Sequence, residues 1–409
     1  MPRPVGQSRF ESCHRAVPRR LRHPDGVPFR AVNAIRFTAG SALTVTLVCG
    51  GCETSDKYAW NIPEGFPKPA VPEHNPMTAA KVELGRHLFY DARLSGNGTQ
   101  ACSSCHRPEF AFTEPRNRAV GSTGGVNRRN TLALVNVAYN DTLMWAHPGL
   151  RTIEQQLLIP MFGDNPVELG IAGREAEVLS RLREDPVYEA LFTDAFPEGE
   201  HLAFTHIVDA LACFVRSLVS FESPFDAYAY AGHDDALDTA AINGLQHFFS
   251  ERFECHHCHG GFNFTQSSTH DSVAILDNAF HNTGLYNVGD ENAYPRVDQG
   301  LHDLTDDPGD RGRFRAPTLR NIALTAPYMH DGSLTDLGAV LDFYAAGGRN
   351  IETGEHAGDG RTNIYKSQFV QGFDMTPTER AELLAFLEAL TDPTFVSRAE
   401  YQDPFQPDR

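Results

Sequence analysis

CSSCH at residues 102–106 and CHHCH at residues 255–259 decide how this chain is read. Both fit Cys-x-x-Cys-His, the attachment pattern of c-type haem. Two thiols about one helical turn apart can add to the two vinyl groups of a porphyrin, and the next residue's imidazole then lies under the iron. Competing chemistries need other surroundings: a zinc site wants two further ligands at matching spacing in each half, and a thioredoxin-like pair wants a βαβ context. Neither is present. Cys102, Cys105, Cys255 and Cys258 are therefore expected to hold two covalent haems c, with His106 and His259 as proximal ligands. His256 and His257, inside the second motif, are expected to face solvent.

The residues leading into each motif repeat. ELGRHLFYDARLSGNGTQACSSCH at 83–106 is echoed by AINGLQHFFSERFECHHCH at 241–259, an amphipathic helix and a short loop before the same motif. The expected fold is mainly α: two cytochrome c-like haem domains packed against each other, at 78–230 and 231–395, with long loops and a tail at 396–409. The boundary near 230 follows the Ser223-Pro224 turn. Apolar spacing predicts helices over 78–89, 172–183 and 203–219, the last apolar enough to be buried between domains and carrying Cys213 as an inert core residue. A final helix is signed by Thr376 as N-cap, Pro377 at the first position and Glu379 completing a capping box, ending near Asp392-Pro393.

The N-terminal stretch differs from the rest. Residues 1–51 hold eight arginines against Glu11 and Asp25, a charge of +6, so with −18 for the whole 409-residue chain the remainder carries −24. The apolar run Phe37 to Val48, short for a bilayer span, followed by Gly50 and Gly51, reads as an export signal. Small residues before Cys52 also suit a lipoprotein cleavage site, and an ordinary cleaved signal is the other reading. Residues 52–77, rich in proline, read as an extended arm or linker. The protein is expected to be periplasmic, and membrane contact is expected only through a lipid at Cys52. Acidic residues outnumber basic ones 53 to 35, which excludes a general affinity for nucleic acid.

With these residues in place, the chain resembles the bacterial di-haem cytochrome c peroxidase and MauG family. The resemblance rests on ELGRHLFYDARLSGNGTQACSSCH, RRNTLALVNVAYNDTLMW, NPVEL at 165–169 and GRFRAPTLRNIALTAPYMHDGSLTDL, and spans roughly 78–391. VELGI and FHNTGLYNV are most similar to its MbnH-type branch, associated with methanobactin and copper-handling gene clusters. The resemblance implies Trp145 as a relay between haems, Glu168 as the acid over the first haem with Gln155 as a second polar group there, and hydrogen peroxide as oxidant. It also implies a calcium ion bound by Asn130, Thr325 and Pro327. Two departures from ordinary peroxidases stand out. The segment VGSTGGVNRRN at 120–130 lacks the histidine that blocks their first iron. Seventeen residues after Pro327, where they carry a methionine ligand, stands Tyr344, with Met329 as the nearby alternative.

The MbnH-type likeness implies oxidation of a tryptophan to kynurenine on an exported, copper-related partner (MbnP-like), through a high-valent di-haem state. Two rivals remain: a peroxide-detoxifying peroxidase fed by a small cytochrome or copper protein, and a di-haem electron carrier.

Overall fold

The computed structural model describes residues 58–198, 202–270 and 280–406. The export segment and Cys52 lie outside the described residues. The architecture is mainly helical: α1 Ala79–Tyr90, α2 Ile153–Phe162, α3 Glu175–Arg183, α4 Pro186–Ala195, α5 Phe204–Ser217, α6 Pro224–Ala229, α7 Thr239–Phe248, α8 His302–Thr305, α9 Leu337–Ala345 and α10 Pro377–Glu388. Two short antiparallel pairs complete it. Strand β1 (Phe280–Asn282) pairs with β2 (Arg313–Arg315), Phe280 opposite Arg315, and β3 (Asn350–Ile351) pairs with β4 (Gly358–Asp359). No helix of the described residues is long and apolar enough to cross a membrane.

The sequence echo has a physical counterpart. Helix α1 packs on α5, and α7 packs on α10. At each crossing a glycine lets the backbones touch. A Cβ on Gly85 would lie 2.0 Å from the Ala210 carbonyl oxygen, and one on Gly244 would lie 1.9 Å from that of Glu382. Both first helices then run into a single 3₁₀ turn carrying a haem motif, Cys102–Ser104 and Cys255–His257. Capping sets the starts: Thr78 accepts from the Lys81 amide at α1, and Thr376 and Glu379 bond reciprocally at α10.

Apolar residues sort into clusters around these pairs. Leu84, Phe89, Phe112, Leu211 and Phe214 belong to one, and Phe225, Phe248, Phe264, Leu383 and Phe386 to another. A third joins Phe280, Tyr294, Phe314 and Phe343, with Trp145 and Tyr344 against it. The proline-rich arm packs Trp60, Ile62 and Phe66 onto Tyr139, Val219 and Phe221. Between α6 and the segment after β2, Arg320 grips Asp226 through two bonds of 2.8 and 2.9 Å, both side chains almost fully buried.

Three expectations change, and one helix, α2, is added to those expected. Helix α5 is buried from Ala210 to its end, yet among the residues of the first cluster, against α1 and α2. The 172–183 helix starts only at Glu175, because Gly173 takes φ +75°. Helix α2 carries no sequence signal strong enough to overcome Pro160, which is tolerated in its last turn. The end of the chain is no loose tail: Phe395 and Tyr401 join the first cluster, and the Tyr401 hydroxyl donates to the Ser217 carbonyl at 2.9 Å.

Candidate active site

Each haem motif presents its histidine in one tautomer. His106 Nδ1 lies 2.8 Å from the Phe112 carbonyl, and His259 Nδ1 lies 3.2 and 3.1 Å from the carbonyls of Phe264 and Pro317. A carbonyl only accepts, so Nδ1 carries the proton and Nε2 keeps a free lone pair, the arrangement of a metal-binding imidazole. Burial pushes His106 below its ordinary range and His259 down to about 4, so both rings are neutral. Burial likewise pushes the thiols of Cys102 and Cys105 up to about 12, and the Glu168 carboxylate adds to the rise at both.

Glu168 is tied to the first motif through the 120–130 segment, since Gln100 Nε2 donates both to Cys105 Sγ at 3.5 Å and to the Val120 carbonyl at 2.8 Å. Glu168 sits in the loop after α2; its Oε1 accepts from Asn127 Nδ2 at 3.1 Å, and its backbone carbonyl accepts from the Ser122 amide at 2.8 Å. Burial raises its pKa while the Asn127 amide opposes the rise. Gly121 allows the approach, since a Cβ there would stand 1.9 Å from the Val167 carbonyl oxygen. Asn127 belongs to the histidine-free segment 120–130, and sequence reasoning missed it. Gln155 does not join this group: it is exposed at the start of α2, where its Oε1 accepts from the Arg151 amide at 3.3 Å.

Around the second motif the chain leaves a mostly apolar cavity of about 180 Å³, lined by Cys255, Cys258, His259, Trp145, Met329 and Tyr344 among others. The Tyr344 hydroxyl makes no hydrogen bond among the described residues. Burial raises its pKa, and the Cys258 and Cys255 thiols add to the effect. Met329 borders the same cavity, so the two candidate ligands share one space. Trp145 is fixed from two sides: its Nε1 donates to the Asn130 carbonyl at 2.7 Å, and its own carbonyl accepts from the Arg315 amide at 2.7 Å. The Asn130 amide in turn donates to the His330 carbonyl at 2.6 Å.

A family model for di-haem cytochrome c peroxidase (CCP_MauG) matches residues 79–235. The methylamine utilization protein MauG of Methylorubrum extorquens is 32% identical over 362 residues, covering 86% of this chain and 91% of that protein. The chain belongs to the di-haem cytochrome c peroxidase and MauG family. Within the family, cytochrome-c peroxidase IdrP1 of a Pseudomonas strain is 33% identical over 343 residues, covering 80% of this chain and 84% of the relative. The crystal structure of a MauG-like protein associated with microbial copper homeostasis superposes with a TM-score of 0.83 at 45% identity, covering 85% of this chain and all of that one. The di-haem peroxidase BthA of Burkholderia thailandensis shares the fold, with a TM-score of 0.60 at 20% identity over 81% of this chain and 92% of that one.

The family implies two c-type haems, and the side chains fit them. Beyond the thiols and imidazoles, Arg315 lines the second cavity fully buried; its Nε donates to the Met144 carbonyl at 3.0 Å while Nη1 has no partner. Burial lowers its pKa to about 10. An orphaned buried guanidinium is costly, and a haem propionate is the carboxylate that would satisfy it. Asn130, Thr325 and Pro327 do come together, around a cavity of about 70 Å³ that also touches Trp145. Asn140 lines it as well, with a buried Oδ1 that has no partner. This oxygen-rich set suits a hard cation such as calcium.

Proposed function

We propose that this protein uses hydrogen peroxide to oxidise a partner protein at long range. The observation carrying this reading is the Glu168–Asn127 contact at 3.1 Å beside the first motif. The segment that supplies a blocking histidine in ordinary peroxidases here turns an amide toward Glu168 and has no histidine that would hold the first haem's iron. Bound haem supplies the peroxide-reducing iron and the store of oxidising equivalents. Glu168 moves the proton, taking it from the inner peroxide oxygen and returning it to the outer one, which leaves as water. Asn127 holds Oε1 in place for both transfers.

Trp145, held on the Asn130 carbonyl and against Arg315, is the relay between the halves. Tyr344, which lines the same cavity as His259, would hold the iron of the second haem with it. In an apolar cavity its hydroxyl ionises only against a cation, and ferric iron provides one. An anionic phenolate favours higher oxidation states than the thioether of Met329 would. Asn130, Thr325 and Pro327, which line one cavity, would hold a calcium ion. The two haem domains meet near residue 230, and the mature protein is exported to the periplasm, with Cys52 as the point of any lipid anchor.

The preferred partner is an exported, copper-related protein whose tryptophan is converted to kynurenine, as in the MbnH-type branch. Support comes from the 45% identity to a MauG-like protein associated with copper homeostasis. Because equivalents leave through the protein, the target need not enter a pocket. The rival reading, peroxide detoxification, is favoured by the 33% identity to a cytochrome c peroxidase. Steady-state turnover separates them: slow peroxide consumption with reduced small cytochromes is expected, and fast turnover with such a donor overturns the reading.

A further inference from the structure

The second haem motif carries two histidines that the proposed reaction leaves unused. His256 and His257 stand in the turn after α7 with ring centroids 4.2 Å apart, and Glu251 and Glu254 precede them. His256 Nε2 lies 3.6 Å from Glu251 Oε1. His257 Nε2 lies 3.5 Å from Glu251 Oε2 and 2.8 Å from Glu254 Oε2. One donor atom each from Glu251, His256 and His257 falls within 4.8 Å of the others. In a tetrahedral site with bonds of about 2.0–2.1 Å, ligand atoms stand about 3.3 Å apart, close to the spacings found here.

His257 Nε2 and Glu254 Oε2 face each other at 2.8 Å, and His256 turns its Nε2 toward Glu251, so both rings direct a nitrogen at the same carboxylates. Imidazole nitrogens and carboxylate oxygens gathered at these spacings are a donor set for a cation. The histidines are not expected to swing free. The His257 ring stacks on Phe369 at 4.2 Å with planes 11° apart, and the turn itself is held by thioethers at Cys255 and Cys258 once haem is attached. The sequence expectation that both histidines face solvent is corrected accordingly: each side chain is about three-quarters covered, with relative exposures of 22% and 28%.

We propose that Glu251, His256 and His257, with Glu254 as fourth donor, bind one divalent transition-metal ion. Two imidazoles and two carboxylates are borderline donors. They suit Cu(II) or Zn(II), with Cu(II) held more tightly, and are too few and too nitrogen-rich for calcium or magnesium. The site borders the second cavity, which Glu254 and Phe369 also line, and adds a positive charge at the edge of the second attachment turn.

The test uses full-length holoprotein stripped of loosely held metal with a chelator, then titrated with Cu(II). Metal analysis should find one copper for every two irons, and the Cu(II) electron paramagnetic resonance spectrum should show nitrogen splittings from histidine. Glu251→Gln, outside the attachment motif, should weaken binding by about 10-fold or more with haem content unchanged. His256→Gln with His257→Gln should remove the nitrogen splittings. Zn(II) should displace copper only at higher concentration. Equal copper affinity in the parent and Glu251→Gln proteins, or nitrogen splittings that persist in the double variant, overturns the proposal. If the double variant loads haem poorly, the Glu251→Gln comparison alone decides.

Discussion

Replacing Asn127 with alanine should shift the pH dependence of the peroxide reaction. Burial raises the Glu168 pKa above the ordinary carboxylate range, and the Asn127 amide, donating to Oε1 at 3.1 Å, works against that rise. A hydrogen bond to a charged group contributes about 1.5–3 kcal/mol when buried. Glu168 is only partly covered, so about 1 kcal/mol is the fairer figure. At 1.36 kcal/mol per factor of ten this amounts to about fivefold. The sign follows from the role of the carboxylate as base: it is lost as pH falls through its pKa, so Asn127→Ala should move the acid limb to higher pH. Below the limb the second-order rate constant for peroxide should drop about fivefold, and well above it the rate should be unchanged. Stopped-flow mixing of ferric holoprotein with peroxide across pH measures this directly, with Glu168→Gln as the control that removes the limb. An acid limb that stays in place in Asn127→Ala, or moves down, refutes Glu168 as the proton carrier.

Three further outcomes are expected. Tyr344→Met should raise the second haem's reduction potential and abolish the near-infrared signature that follows peroxide, while peroxide binding stays intact; an unchanged signature would remove Tyr344 as ligand. Trp145→Phe keeps an aromatic ring but loses the Nε1 bond to the Asn130 carbonyl, and oxidation of the second haem should slow relative to the first. Equal kinetics at both haems would rule out the relay. Gly244→Ala forces a Cβ to within 1.9 Å of a carbonyl oxygen at the α7–α10 crossing, so the helices must part by more than about 1 Å. Such overpacking costs about 1–3 kcal/mol, readable as a lowered thermal midpoint of the holoprotein.

What the sequence disclosed follows the range of the physics involved. The haem motifs are local covalent patterns, and the capping box at Thr376 and Glu379 and the start of α1 at Thr78 are local hydrogen-bond patterns; all could be read residue by residue. Gly85 and Gly244 were visible as a repeat, but their meaning needs the partner helices α5 and α10. Asn127 and Arg315 carry no signal of their own. One matters because a loop far along the chain brings Glu168 to it, the other because folding buries its guanidinium with Nη1 unpaired. The end of the chain was misjudged for the same reason: the aromatic residues Phe395 and Tyr401 find their cavity only in the first cluster. Gln155 shows the converse, since a family position can be matched in sequence while the side chain stands exposed.

The most direct test of long-range oxidation is mass spectrometry of the partner. A small exported, copper-related protein with a tryptophan near methionines or histidines is mixed with holoprotein and hydrogen peroxide, and its peptides are sequenced. Oxygen insertion confined to that tryptophan, ending at kynurenine and lost in Glu168→Gln, is the predicted result. An unmodified partner, with peroxide consumed instead at the expense of reduced cytochrome c, would contradict it.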